Sequence, residues 1–111
     1  MKKITIYTLI TFVKDVRRLH KKYKKLNQDL KQLNVQLQKN PNAGIALGSN
    51  LFKIRLANSS IPTGKSGSFR VVYYYFDGHQ QLYLATLFSK KDLENISDEK
   101  LLEIINHIEQ Q

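Results

Sequence analysis

Residues 52–75 read FKIRLANSSIPTGKSGSFRVVYYY, two β-prone stretches joined by a run of turn-forming residues. From Leu51 to Ala57 the apolar residues recur with period two. Phe52, Ile54 and Leu56 therefore face inward, and Lys53 and Arg55 share the opposite face. In the second strand, Phe69 to Phe76, alternation sets Tyr74 on the face of Arg70 and groups Tyr73 and Tyr75 with Phe69 and Val71. The connecting NSSIPTGKSGS is loop by composition and carries Lys65. Two neighbouring strands thus commit Lys53, Arg55 and Arg70 to sheet positions, with a further cation between them, and the rest of the chain has to account for that charge.

Outward from this pair the pattern stays regular. Asp77-Gly78 marks a hairpin turn, and Gln81 to Phe88 reads as the returning strand. Ser97-Asp98-Glu99-Lys100 opens a last helix with Ser97 as its cap, and Leu101, Ile104, Ile105 and Ile108 supply its apolar stripe. On the N-terminal side, Ile4 to Tyr7 is a short opening strand. Phe12, Val16, Leu19 and Tyr23, then Leu26, Leu30, Leu33 and Leu37, fall at helical spacing, which predicts two amphipathic helices or one kinked helix over 11–39 with the break in KKYKKLN. Asn40-Pro41-Asn42-Ala43-Gly44 ends the second helix, because the residue before proline avoids helical backbone and Gly44 relaxes the chain. Gly48-Ser49-Asn50 is a flexible lead into the Leu51 strand. The order β-α-α-β-β-β-α predicts an α+β fold: an antiparallel sheet with an N-terminal helical hairpin packed on one face, a C-terminal helix, and the other face partly open.

The 111 residues, 41% of them hydrophobic, suffice for a single domain over 1–111 with a modest core. No apolar run approaches membrane-spanning length, and the basic-then-apolar MKKITIYTLITFVKDV lacks a small-residue cleavage site, so it reads as a strand and helix start rather than a leader. Without cysteine the chain makes no disulfides and uses no thiolate chemistry, as suits a reducing cytoplasm. A formal charge of +9 with a pI near 9.8 points to a polyanionic partner, nucleic acid or an acidic protein. The charge is uneven: residues 1–70 hold 15 Lys/Arg against Asp15 and Asp29 alone, whereas residues 71–111 are net acidic.

Chemistry follows from the charge. When a 2′-hydroxyl attacks its neighbouring phosphate, negative charge builds on the phosphoryl oxygens, and fixed cations stabilise that state more than the ground state. Arg55 and Arg70 suit the task because a planar guanidinium holds two phosphate oxygens at once. Lys53 is the candidate general base. Lys65 and Tyr74 are candidate contacts to phosphate and base, although a loop lysine is also ordinary solvated surface and a strand tyrosine ordinary core. Arg17, Arg18, Lys21, Lys22, Lys24 and Lys25, with Lys14, form a cation run dense enough to dock RNA or else a solvated helix face. His20, His79 and His107 lie on separate elements and offer neither paired-imidazole catalysis nor metal spacing, so no metal or cofactor is expected.

The run from Gly44 to Ile96 resembles the RelE/ParE superfamily of toxin–antitoxin toxins, particularly its HigB/RelE-like branch. Three motifs in order carry the resemblance: Lys53-Ile54-Arg55-Leu56-Ala57, Gly64-Lys65-Ser66-Gly67-Ser68-Phe69-Arg70-Val71, and Lys90-Lys91-Asp92-Leu93-Glu94-Asn95-Ile96-Ser97. Ser68 stands where the family usually has a second glycine, and the late catalytic tyrosine of the best-known members has no counterpart near Ile96. The resemblance implies a cytoplasmic, ribosome-dependent endoribonuclease that cuts mRNA in the decoding site. It implies catalytic roles for Lys53, Arg55, Arg70 and Lys90, and an RNA contact for Lys91. The partners it implies are a cognate antitoxin with acidic segments, the ribosome and its RNA, and mRNA, without a membrane. The ParE branch shares the fold and inhibits DNA gyrase without nuclease activity, and is the alternative function.

Overall fold

The computed structural model describes residues 3–61, 67–76, 78, 80–90 and 97–109, with backbone only at 105 and 107–109. In chain order the elements are β1 (Thr5–Thr8), α1 (Ile10–His20), α2 (Leu26–Lys39), β2 (Ile45–Gly48), β3 (Leu51–Leu56), β4 (Phe69–Phe76), β5 (Gln81–Ser89) and α3 (Asp98–Glu109). The strands form one five-stranded sheet in the order β1-β5-β4-β3-β2. The fold is α+β, with a helical hairpin and a C-terminal helix in the expected chain order.

The two helical stripes continue one another in phase, yet the chain folds back between them. A single straight helix over residues 10–39 would run about 45 Å, longer than the 38 Å maximum extent of the whole molecule. Breaking at 21–25 lets both stripes reach the same sheet face. Phe12, Leu19, Tyr23, Leu26, Leu33 and Leu37 pack there against Ile54, Leu56, Phe69, Val71, Tyr73, Tyr75, Leu82, Leu84 and Leu87. Tyr23 anchors the elbow, its ring edge-on to Phe69 with centroids 5.3 Å apart. Asp15 fastens α1 to β5 by accepting hydrogen bonds from Thr86 Oγ1 (2.6 Å) and Leu87 N (3.0 Å). Thr11 Oγ1 donates to the Ala85 carbonyl, where the β4–β5 register skips a residue.

The sheet departs from the expected architecture in three ways. It is mixed: β1 lies parallel to β5 at the sheet edge, because α1 and α2 carry the chain across one face before it re-enters the sheet as β2. Gln38 of α2 ties down that first strand, donating to Ile4 O (2.7 Å) and accepting from Ile4 N (3.2 Å). Second, Ile45–Gly48 forms a strand that the sequence does not announce, and its last residue opens the stretch expected as a flexible lead. Gly48, Ser49 and Asn50 take positive φ (93°, 54° and 64°) and turn β2 back onto β3, a backbone that glycine and asparagine tolerate best. Gly44 is required for space rather than for φ, since a Cβ there would lie 2.9 Å from Lys53 O and 3.1 Å from Tyr73 Oη.

Third, α3 covers part of the face opposite the hairpin. Leu9, Leu51, Val72, Ala85 and Phe88 make a second apolar patch, and α3 seats Ile104 and Leu101 on it. A sheet whose strands are apolar on both sides needs a layer on both sides. Ser97 caps α3 as expected, its Oγ accepting from Lys100 N at 3.2 Å. The expected turn at Asp77 and the loop and motif positions 62–66 and 91–96 lie outside the described residues.

Candidate active site

Lys53, Arg55 and Arg70 occupy the sheet face opposite the helical hairpin, as alternation requires, and the strand register decides how near they come. β3 and β4 pair antiparallel with Leu56 opposite Phe69, Ile54 opposite Val71 and Arg55 directly opposite Arg70. Directly opposed residues carry their Cβ atoms about 5 Å apart, so two guanidinium groups share one small area. Lys53 lies two residues up β3, opposite Val72. Lys90 follows β5, and its N–H donates to Ser68 O at 3.2 Å, which brings it two residues beyond the Arg70–Phe88 pair. The four cations proposed from sequence therefore gather at one end of one sheet face.

Arg70 is held and Arg55 is open. Arg70 Nη1 donates to Ser68 Oγ and, at 3.1 Å, to Phe69 O, whereas Arg55 is exposed. Partial burial first, and then the Arg55 charge, pull the Arg70 guanidinium below its usual pKa, and it remains a cation because an arginine proton is very hard to remove. Among the described residues the ion pairs are Arg18–Asp15 and Lys100–Glu103, and neither reaches this pair. Like charges directly opposite in a sheet destabilise it. The fold keeps such a pair and orients one member with a serine hydroxyl, an arrangement chemically suited to an anion.

The structure also sorts the outlying candidates. Tyr74 shares the face of Arg70, but buried Val72 and the seat of Ile104 lie between them; Tyr74 instead neighbours Tyr83, with ring centroids 6.2 Å apart. Lys65 and Lys91 lie outside the described residues. Arg17, Arg18, Lys21, Lys22, Lys24 and Lys25 are all exposed along the end of α1 and the elbow, with Lys22 Nζ 5.3 Å from the centre of the Tyr23 ring. That elbow meets the exit of β3: Lys25 N donates to Ser60 Oγ at 2.9 Å. The basic elbow and the arginine pair consequently occupy the same end of the molecule.

Two supporting residues escaped the sequence reading. Buried Asp29 accepts hydrogen bonds from Ser59 N (3.1 Å) and Ser59 Oγ (2.7 Å), while Asn58 Oδ1 accepts from Ser60 N (3.0 Å). Together they fix residues 58–60 against α2. An acid among leucines at i−3 and i+4 (Leu26 and Leu33) is the only local sign of this. Ser68 is the other, and its place two residues before Arg70 on the same face was the available signal. Among the described residues no helix is long and apolar enough to cross a membrane.

No family model matches the chain. Its backbone is similar to that of the E. coli toxin RelE, solved in the free state as an arginine double mutant. The match covers 96% of this chain and 99% of that one, with a TM-score of 0.63 and 18% sequence identity. The chain has the RelE-like fold.

Proposed function

We propose that this chain is a RelE-like toxin of the HigB/RelE branch, acting in the cytoplasm as one domain: a ribosome-dependent mRNA endoribonuclease held in check by a cognate antitoxin. The observation that carries the reading is the directly opposed Arg55–Arg70 pair, at the end of the sheet that also holds Lys53 and Lys90. In the proposed reaction the RNA 2′-oxygen bonds to the adjacent phosphorus and the bond from phosphorus to the 5′-oxygen breaks. The proton leaves the 2′-hydroxyl and another reaches the 5′-oxygen. Arg55 and Arg70 bind the two non-bridging oxygens and stabilise their growing charge. Lys53 and Lys90 flank them as the groups for proton transfer, with Lys53 the base.

Arg55 is exposed at the sheet end, and in this reading the site supplies charge and leaves RNA alignment to another body. A ribosome that presents ordered mRNA does this, and the exposed elbow from Arg17 to Lys25 is the surface that docks on its RNA. Lys65, Lys91 and Tyr74 belong to the proposed RNA contacts. The same positive face suits an antitoxin with acidic segments.

The test is induction of wild type beside Arg70→Ala, with growth, the integrity of translated and free mRNA, and DNA supercoiling all scored. Cleavage of translated mRNA alone, lost in Arg70→Ala, is the expected result. Intact mRNA with blocked supercoiling would assign the chain to gyrase inhibition instead.

A further inference from the structure

Away from the arginine pair, three tyrosines form a row across the same sheet face. Tyr7 of β1 is register partner to Tyr83 of β5, and Tyr83 to Tyr74 of β4. The Tyr7 and Tyr83 rings are stacked, with centroids 5.2 Å apart and planes 20° from parallel. Tyr83 and Tyr74 continue the row at 6.2 Å and 56°. The row ends at the sheet edge, where Tyr7 is 42% exposed, and Phe76, two residues beyond Tyr74, is 39% exposed. Core packing explains Tyr73 and Tyr75 on the other face, and Tyr74 and Tyr83 also pack against the second apolar patch; it does not explain Tyr7, which stacks on Tyr83 and stays exposed at the sheet edge.

We infer that this row is a stacking platform for a base of single-stranded RNA, placed to hold a nucleotide a few positions from the scissile linkage. The inference deepens the nuclease reading and rests on RNA being the ligand of this face. Tyr74 and Arg70 are four residues apart on β4, about 13 Å along the strand, with α3 seated between them, so the row serves a flanking nucleotide and not the reacting one. Three observations select this occupant. A planar ring stacked on one side and open on the other is what a nucleobase extends, whatever its identity. The three strands that carry the row, β1, β4 and β5, contain no acidic residue, and exposed Lys3 stands at the start of the same edge, so these strands themselves bring no charge that repels a phosphate backbone. The open aromatic area is on the order of 200 Å², given 150–250 Å² for a whole aromatic side chain. A stable protein interface needs about 800 Å² on each partner, so the patch fits a base and is too small to hold a second copy of the chain.

The test compares binding of a 2′-O-methyl oligouridylate, which the proposed chemistry does not cleave, with a strand of equal length lacking its bases. The full wild-type chain is expected to prefer the base-bearing strand by roughly 5- to 100-fold. Tyr7→Ala abolishes most of that preference, and Tyr7→Phe, which keeps the ring, retains it. Arg70→Ala weakens both strands alike. Photo-crosslinking of a 4-thiouridine strand to Tyr7 or Tyr83 is the second measurement. A preference that survives Tyr7→Ala, the absence of any preference, or crosslinks confined to other residues overturns the inference. Its fate is separable from that of the nuclease reading: a Tyr7-dependent base preference without mRNA cleavage would sink only the latter, and cleavage with no such preference only the former.

Discussion

Arg55 and Arg70 face each other directly across β3 and β4, one exposed and one oriented by Ser68, and no ion pair among the described residues reaches either. Two like charges in that register oppose folding and favour an anion between them. In the proposed reading, stability and function pull in opposite directions at this pair.

The first expectation follows from that opposition. Arg55→Gln should raise stability by about 0.5 kcal/mol at low ionic strength, a melting shift of roughly 2 °C upward, while lowering cleavage of ribosome-bound mRNA by about 100-fold or more. Thermal melting and single-turnover cleavage of the same preparation read both effects. A variant that is less stable and fully active would remove the pair from the site.

Tyr73 gives a pH signature. Its buried hydroxyl donates to Pro41 O (2.8 Å) and accepts from Gly44 N (3.0 Å). Burial raises its pKa above the ordinary 10.0, with the Gly44 hydrogen bond acting in the opposite direction. Below pH 10 the phenol is protonated in both states and contributes no slope. Above it the unfolded chain loses the proton first, so stability falls as pH rises. Circular dichroism should show alkaline unfolding that begins near pH 10 and weakens in Tyr73→Phe. At neutral pH the same variant should cost about 1–2 kcal/mol, because a buried amide and carbonyl lose their partner.

Asp29 is a structural acid placed next to functional elements. Asp29→Ala removes both hydrogen bonds to Ser59 and is expected to cost about 2–3 kcal/mol in denaturant unfolding. Hydrogen exchange at Ser59 and Ser60 should rise more than at the β4–β5 ladder. Equal rises throughout would mean that Asp29 supports the whole domain rather than this junction.

Salt dependence tests the elbow. If Lys21 and Lys24 each neutralise one phosphate of structured RNA, replacing both with glutamine should lower the slope of log affinity against log salt by about 2. Titration on ribosomes at several ionic strengths measures it, and an unchanged slope would make the elbow a solvated surface.

Much of this was open to a reader of the residues alone. Period-two alternation over 51–57 and 69–76 put Lys53, Arg55 and Arg70 on one face and Tyr73 and Tyr75 in the core, and Ser97 announced its helix. Ile45–Gly48 was missed because a four-residue, largely exposed strand has no alternation of burial to display. Covering of the second face was missed because Val72, Ala85 and Ile104 become one patch only after folding. Asp29 carried no structural role in the sequence reading, because its partner Ser59 lies 30 residues away.

What the order of residues determined by itself was which side of each strand a side chain takes, since alternation is a property of the extended backbone and needs no partner. It also determined the two apolar helical stripes and the proline stop that ends the second, while the fold-back between them came from packing on the sheet. Which cation faces which was decided only in three dimensions. β3 and β4 are joined by a twelve-residue connection that imposes no turn geometry, so their register is set by the seating of Ile54, Leu56, Phe69 and Val71 in the core. The Arg55–Arg70 encounter is a consequence of that seating, as the tyrosine row is of β1 lying down beside β5.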